Sequence, residues 1–313
     1  MAKKISSLPK GSEPFPYTPV IEVTTNDYLL ATTAAVVVDR SSRGRLILTG
    51  ADVADFLQGQ VSNDIEALVP GSGCYATLLT AKGKIRCDMR ILRGDDWFLL
   101  DSEPQALPVL EHMVRVYSIG RDVKSVPDER SLWSIIGPAA HDALDNPPPA
   151  TEHAHSEGEL GLYVATDNGV DVFGERPDLP EATTDIAEIL RIESGRPRLG
   201  FELGDDVIPQ EAGINERAIS FTKGCYVGQE TVARLFYKGK PNRHLRGLRL
   251  SEPVERGAPI HGADRELGRV SSVCVSPTFG PIALALVRRE AEPGDTVQVG
   301  DAGAVAQVVE LPF

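Results

Sequence analysis

A single cysteine, Cys225, lies in the most basic stretch of the sequence, FTKGCYVGQETVARLFYKGKPNRHLRG, which begins at Phe221. This stretch has one acidic residue, Glu230, and its basic residues are Lys223, Arg234, Lys238, Lys240, Arg243 and Arg246. A thiol becomes reactive when positive charge or a helix N-terminus stabilises its thiolate and solvent can reach it. QETVARLF has helical periodicity, so Cys225 is expected just before a helix N-terminus. The alternative is a small residue packed at a glycine-rich turn.

Two carboxylates stand in contexts that could bind a ligand. Glu211 lies in the apolar run VIPQEAGI, where it could accept two parallel N–H bonds from a planar ring. The alternative is a salt bridge to an arginine such as Arg191 or Arg196, and such charge pairs are the commoner outcome. Asp88 lies on the predicted strand IRCDMRI, whose alternation puts it on the face opposite Cys87. That face would carry either cross-strand ion pairs or a carboxylate that lines a pocket.

Composition and charge narrow the class of function. The 313 residues are 42% hydrophobic and 25% charged, and this length predicts two or three compact units. A formal net charge of -13 disfavours stable nucleic-acid binding, so an anionic partner must meet a local basic patch. The four cysteines lie far apart, which indicates reduced thiols. His153 and His155 lie beside prolines and are expected in an exposed connection, so no metal site is predicted.

The sequence carries no signal for a membrane or for secretion. No apolar run is long enough to span a bilayer, so no membrane partner is expected. The start, MAKKISSLPKGSEPFPYTP, has neither the apolar core of a signal peptide nor an arginine- and serine-rich presequence. A cytoplasmic protein of bacterial type is therefore expected.

The order of the predicted elements indicates an α+β fold in three parts. Residues 1–34 are expected to form a flexible, proline-rich arm. Residues 35–244 combine strand hairpins with single helices, and a linker is expected near 145–159. CYATLLT and KIRCDMRIL, for example, would form a hairpin that turns at Gly83. Short β segments separated by proline and glycine predict a separate β barrel at 245–313.

Several motifs of the chain resemble those of one protein family. KGCYVGQETVAR, with its highly specific K-G-C-[YF]-x-G-Q-E pattern, is similar to the signature of the YgfZ family. This family is a branch of the folate-binding superfamily that includes the glycine-cleavage T-protein (aminomethyltransferase). LLTAKGKIRCDMRIL, RIESGRPRLGFELGDDVIPQEAGI and VVELPF resemble the hairpin, the central segment and the C-terminal barrel of that superfamily. The resemblance runs from about Ala35 to Phe313.

This resemblance implies a fold and a ligand. Two α+β lobes, formed by 35–244, would enclose a central folate channel that the C-terminal barrel caps. The ligand would be tetrahydrofolate or a derivative. Glu211 matches the glutamate that binds the pterin in the superfamily. Asp88 matches a strand position near the reactive nitrogens of folate, where T-proteins usually carry two adjacent acids and this chain has Cys87-Asp88.

The resemblance also implies a role for the opening cysteine. T-proteins lack a cysteine at the place of Cys225, whereas the YgfZ family has one and is associated with assembly or repair of iron–sulfur clusters in client enzymes, including ones that modify tRNA. The glutamate tail of folate is anionic, so a basic channel mouth would attract it. Lys223, Arg234 and Arg243 are the residues predicted for that mouth.

Three functions follow from these features. The first is a folate-binding accessory factor for iron–sulfur clients that acts through Cys225. The second is a folate-dependent aminomethyltransferase or demethylase that uses Asp88, which the missing second acid disfavours. The third is an RNA-binding module at residues 221–250, which the acidic composition and the lack of aromatic stacking platforms disfavour. The first is the predicted function.

Overall fold

Helix α1 (Thr25–Thr33) opens the part of the chain that the computed structural model describes, which is Ile21 and residues 23–313. Thr24 caps this helix, because its side chain accepts a hydrogen bond from the backbone N–H of Asp27 at 3.1 Å. Tyr28 and Ala31 are buried on one face of the helix. The prediction of a flexible arm over 1–34 is therefore wrong at 25–33, and its first 20 residues and Glu22 lie outside the described residues.

The remaining elements alternate between strands and single helices. The first half contains β1 (Val36–Asp39), β2 (Gly44–Thr49), α2 (Val53–Gln60), β3 (Ser72–Leu79), β4 (Ile85–Arg93), β5 (Trp97–Ser102), α3 (Leu107–Tyr117), β6 (Lys124–Pro127) and β7 (Leu132–Ile136). The second half contains β8 (His155–Gly158), β9 (Gly161–Thr166), β10 (Gly169–Gly174), α4 (Thr184–Glu193), α5 (Asn215–Ala218), α6 (Gln229–Lys238), β11 (Arg243–Leu250), β12 (Pro259–His261), β13 (Glu266–Ser276), β14 (Gly280–Arg288), β15 (Thr296–Val299) and β16 (Ala304–Val309). None of the helices in the described residues is long and apolar enough to cross a membrane.

These strands form three antiparallel sheets. The first has the order β3-β4-β5-β2-β6 and the second the order β1-β7-β10-β9-β8. The third is a closed barrel in the order β11-β14-β13-β12-β15-β16. The predicted α+β fold with a C-terminal barrel is confirmed, with the first barrel strand starting at Arg243 instead of at residue 245.

Strand β4 separates a hydrophobic core from a polar face, as its alternation predicts. Ile85, Cys87 and Met89 are buried in one core cluster with residues of α2. The predicted hairpin to β3 is present, and Gly83 adopts a φ of +72° at its turn. Asp88 therefore points away from this core, towards the space between the two five-stranded sheets.

Helix α4 separates the barrel from the same space. Its apolar residues Ile186, Ile189 and Ile192 are buried in a cluster that includes Cys274 and Ile282 of the barrel. Glu188 and Arg191, which lie on another face of the helix, line the space between the sheets. The apolar face of α4 therefore packs against the barrel, and its charged face lines the space between the two sheets.

The predicted linker near 145–159 is a surface connection only in its first half. Residues 145–151 are mostly exposed, whereas Glu152 to His155 turn inward. The backbone N–H of His153 donates to Ala165 at 2.9 Å, and His155 pairs with Val164 to add β8 to the second sheet. The prediction that both histidines are exposed is therefore wrong, because strand pairing with β9 draws them inside.

Candidate functional site

A cavity of about 240 Å³ lies between the two five-stranded sheets and helix α4. Most of its polar lining residues are charged. The first sheet contributes Asp88, Arg90 and Asp101, the second contributes Ser134 and Asp171, and α4 contributes Glu188 and Arg191. Concave spaces between lobes are common places for a ligand site.

Buried ion pairs link the two sheets across the floor of the cavity. Arg90 on β4 contacts Asp101 on β5 at 2.7 Å and Asp171 on β10 at 2.8 Å. Arg43 also contacts Asp101, at 2.7 Å, and Glu103 at 2.8 Å. Burial acts to raise the pKa of Asp101, but the two guanidinium groups outweigh it and the pKa is lowered. Asp101 therefore stays ionised as the centre of this network.

Asp88 lies in the cavity with one carboxylate oxygen free. Its Oδ2 accepts a hydrogen bond from the hydroxyl of Tyr75 at 2.8 Å. Its Oδ1 is buried and has no partner among the described residues. Burial raises the pKa of Asp88 to about 6, although Tyr75 and Arg43 act to lower it. The structure thus matches the pocket-lining alternative for Asp88, and its carboxyl can take up or release a proton near neutral pH.

Two further cavity residues also have unpaired atoms: His153, which was considered from the sequence only as a metal ligand, and Arg217, which was not singled out. His153 Nδ1 and Arg217 Nε are buried without a partner in the described part of the chain. His153 adopts a φ of +71°, a conformation that few residues other than glycine take. Burial and the nearby Arg90 and Arg196 lower the pKa of His153 to about 3, so its imidazole is neutral. With Asp88 Oδ1, these atoms form a set of buried hydrogen-bonding groups that a ligand would complete.

Glu211 and Arg243, predicted separately as ligand residues, contact each other. Arg243 Nε lies 3.1 Å from Oε1 of Glu211, and Arg243 Nη2 lies 2.9 Å from Oε2. Arg243 also pairs with Asp206 at 3.0 Å. The hydrogen bonds to Glu211 and Asp206 raise the pKa of Arg243 above its ordinary value. Neither residue lines the cavity, so their roles in binding a pterin and a glutamate tail stay predictions that would require this bidentate pair to open.

Lys223 is enclosed, which corrects its predicted place at an open channel mouth. Its Nζ donates to the backbone carbonyls of Gln58 at 2.7 Å, Val61 at 2.8 Å and Asn63 at 2.7 Å. These carbonyls lie at the C-terminal end of α2 and just beyond it, where a cation is favoured. Burial lowers the pKa of the amine to about 8. Lys223 therefore fastens the Cys225 loop to α2.

Cys225 is exposed in the loop that precedes α6, whereas Cys74, Cys87 and Cys274 are buried or half-buried. Burial raises the pKa of Cys74 and of Cys274 to about 12, which suppresses their thiolates. Helix α6 begins at Gln229, after Cys225, as the periodicity predicts. The turn between them uses Gly228, whose φ is +88°. Solvent reaches the Cys225 thiol, unlike a cysteine packed at a turn.

Phe221, before the Cys225 loop, and Phe236 and Tyr237, near the end of α6, form an aromatic cluster. The rings of Phe221 and Phe236 stack with their centroids 3.9 Å apart, and Tyr237 meets Phe236 edge-on at 5.1 Å. Phe236 is 50% exposed and Tyr237 is 67% exposed. The prediction that this region lacks aromatic platforms is therefore wrong. Arg234 is exposed on the same helix and, like Cys225, does not line the cavity.

The described residues contain no group of three or more histidine, cysteine or acidic side chains placed to hold a metal ion.

Replacing Asp88 with asparagine is expected to stabilise the protein at neutral pH. The carboxyl has a pKa of about 6 in the folded state and an ordinary value of 3.8. Above pH 6 it is ionised in both states, and because ionisation is less favourable in the folded state, the folded state is destabilised. We expect the free energy of unfolding of Asp88→Asn to exceed that of the parent by about 2 kcal/mol at pH 7.5. The difference should shrink towards zero as the pH falls to 4.

Urea denaturation at both pH values measures this difference. The exposed Asp95→Asn is the control and should match the parent at both. An Asp88→Asn variant that is no more stable than the parent at pH 7.5 would show that the buried carboxyl carries no such cost.

Replacing Lys223 with methionine is expected to lower the free energy of unfolding by about 2–3 kcal/mol, because three backbone carbonyls lose a charged donor. The exposed Lys240→Met, in the same basic stretch, should change it by less than about 0.5 kcal/mol. Chemical denaturation of both variants compares them. Equal stability of the two would mean that the amine does not secure the loop.

Two family models match the sequence. The GCVT N-terminal domain matches residues 12–163, and the glycine cleavage T-protein C-terminal barrel domain matches residues 243–313. The first match ends within the second five-stranded sheet, in strand β9, and the second match begins with the first strand of the barrel. The two matches together span most of the chain.

The individual proteins that the chain resembles include members of two named groups. The tRNA-modifying protein YgfZ of Colwellia psychrerythraea is 26% identical over 250 residues, which cover 74% of this chain and 76% of that protein. The aminomethyltransferase of Bacillus cytotoxicus is 27% identical over 322 residues, which cover 90% of this chain and 87% of that protein.

A solved structure has the same fold. The glycine cleavage system aminomethyltransferase T from Bartonella henselae superposes with a TM-score of 0.80 at 20% identity, over 92% of this chain and 88% of that one. The T-protein-like architecture predicted from the motifs is confirmed by this match and by the closed barrel. The chain belongs to the glycine-cleavage T-protein superfamily, within which it fits the YgfZ family.

Proposed function

We propose that this protein is a tetrahydrofolate-binding accessory factor that supports assembly or repair of iron–sulfur clusters in client enzymes, including ones that modify tRNA. One observation carries the proposal: a cavity with unpaired buried polar atoms and an exposed cysteine occupy separate places on one chain. The cavity is suited to a small polar ligand, and the thiol is accessible to a macromolecular client.

The cavity residues fit a reduced folate. The unpaired atoms are an acceptor on Asp88, a neutral ring nitrogen on His153 and an N–H donor on Arg217. A pterin ring offers both N–H donors and nitrogen acceptors, so it can satisfy such a mixed set. This placement of the ring does not use Glu211, which was predicted to bind the pterin but does not line the cavity. Bound tetrahydrofolate would supply one-carbon or redox chemistry. The protein side orients the ring, and Asp88 can hold or release a proton at its free oxygen because its pKa is about 6.

The Cys225 thiol is the proposed point of contact with the iron–sulfur client. Thiolate sulfur is the preferred protein ligand of iron–sulfur clusters, and its oxidation or persulfidation is reversible. The buried neighbours Lys223 and Tyr226 anchor the loop on either side, with the ammonium 5.3 Å from the centroid of the Tyr226 ring. This anchoring presents Cys225 outward in a defined place.

The alternative is a folate-dependent aminomethyltransferase or demethylase. The pKa of Asp88 favours it, because a carboxylate that titrates near neutral pH can act as a general base towards bound folate. The single acid at Cys87-Asp88 disfavours it. Formation of methylenetetrahydrofolate by the purified protein from an aminomethyl donor would establish this activity, and Asp88→Asn should abolish it.

The thiol is tested in cells that lack this protein and are rescued with the parent, Cys225→Ala or Thr222→Ala at matched abundance. The activity of an iron–sulfur enzyme that modifies tRNA is measured. We expect the parent and the exposed loop control Thr222→Ala to rescue it, and Cys225→Ala to give less than about a tenth of the parental activity. Full rescue by a folded Cys225→Ala would remove the thiol from the mechanism.

The folate is tested separately by calorimetric titration of the purified protein with tetrahydrofolate. We expect saturable binding by the parent and by Cys225→Ala, because Cys225 does not line the cavity. His153→Ala should bind at least about tenfold more weakly, because it removes a buried hydrogen-bonding group. If no reduced folate binds the parent, the ligand part of the proposal is excluded.

A further inference from the structure

Arg40 lies where the first cavity meets a second one of about 310 Å³. The two cavities adjoin, because both are lined by Arg40, Arg43, Glu103, Glu188 and Arg198. The unpaired atoms of Asp88, His153 and Arg217 line the first cavity and not the second. A ligand that reaches from one cavity into the other therefore passes Arg40.

The other charges at this junction are already paired. Arg43 contacts Glu103 at 2.8 Å as well as Asp101. Arg198 contacts Glu103 at 2.9 Å and Glu188 at 3.3 Å. These four shared residues thus neutralise one another locally and offer little net charge to a ligand.

The guanidinium of Arg40 differs from them. It is half-buried, and it makes no side-chain hydrogen bond or ion pair within the described residues. Its backbone is fixed, since its N–H donates to Leu132 at 2.8 Å and its carbonyl accepts from Arg43 at 3.1 Å. Burial and the nearby Arg43 lower its pKa, and they outweigh the attraction of the more distant carboxylates of Asp171 and Glu103, with which it makes no ion pair. A cation that is partly removed from water beside other arginines favours an anionic partner.

We propose that Arg40 binds a carboxylate on the tail of the ligand whose ring occupies the first cavity. The inference rests on the proposed function, in which that group is a glutamyl carboxylate of tetrahydrofolate. A guanidinium can hold a carboxylate through two parallel N–H bonds. Ser42 and Thr184, which line the second cavity, add hydroxyl donors, whereas the carboxylate of Asp185, which also lines it, would repel a negatively charged tail.

This places the tail site away from the basic stretch at 221–247. Lys223, Arg234 and Arg243 line neither cavity. The amine of Lys223 is held by α2, and Arg243 is held by Glu211. Arg234 is exposed on α6. The positive charge that meets the tail is therefore Arg40, which lies at the end of β1.

The test compares two ligands on three proteins. Tetrahydrofolate and tetrahydropteroate, which has the same ring system without the glutamate, are titrated into the parent, Arg40→Gln and Arg234→Gln. We expect the parent to bind tetrahydrofolate about tenfold more tightly than tetrahydropteroate, as a charge-assisted pair provides. Arg40→Gln should lose that preference and keep the affinity for tetrahydropteroate. Arg234→Gln should keep both.

Each other outcome overturns the inference in a recognisable way. Binding of neither ligand by the parent overturns it together with the folate function. Equal binding of both ligands by the parent, or an undiminished preference in Arg40→Gln, overturns the tail site alone. Loss of the preference in Arg234→Gln returns the tail to the basic stretch. If Arg40→Gln does not fold, Arg40→Lys is used instead. This variant keeps the charge but loses the two parallel N–H donors, so its preference for tetrahydrofolate over tetrahydropteroate should be smaller than that of the parent.

Discussion

The ion pairs of Arg90 with Asp101 and Asp171 are the interaction on which the site depends. They join a strand of the first sheet to a strand of the second, and all three side chains are buried or nearly so. Removing one partner of such a set typically costs 3–5 kcal/mol, because it leaves a buried charge uncompensated. Phe173 supports the set, with Arg45, Arg90 and Arg130 each within 6 Å of its ring centroid. This contact joins the two lobes where they line the cavity.

The same network divides the charges of the cavity into two classes. Arg43, Asp101 and Glu103 satisfy one another and form the rigid wall. Asp88, His153 and Arg217 retain buried atoms without partners in the described chain. Burial raises the pKa of Asp88, and the attraction of Arg43 and the hydrogen bond from Tyr75 do not offset it. Because the charges of the first class neutralise one another, the unpaired atoms of the second class are the ones available to bind a ligand.

The motif K-G-C-Y combines a structural and a proposed chemical residue. Lys223 binds the end of α2 and Tyr226 is buried, so the two residues between them are turned to solvent. A reactive loop cysteine needs this anchoring, because a freely moving thiol has no defined position relative to a client. The neighbouring aromatic cluster adds an exposed apolar surface to the same face. The cavity proposed for folate and the exposed thiol thus lie in different parts of the molecule.

The sequence by itself determined what depends on local pattern. Alternation in IRCDMRI put Asp88 on the polar face of β4, the spacing of glycine and proline predicted the barrel, and the periodicity of QETVARLF placed α6 after Cys225.

Only the tertiary structure decided which charges meet. Lys223 reaches a helix 160 residues or more away, and Glu211 meets Arg243 across 32 residues. His153 enters the cavity because β9 pairs with its segment. Arg40 makes no ion pair within the described residues, because the neighbouring carboxylates pair with other arginines. Partner choice among many arginines and carboxylates is set by distance and burial in the folded chain, and residue type and spacing do not encode it.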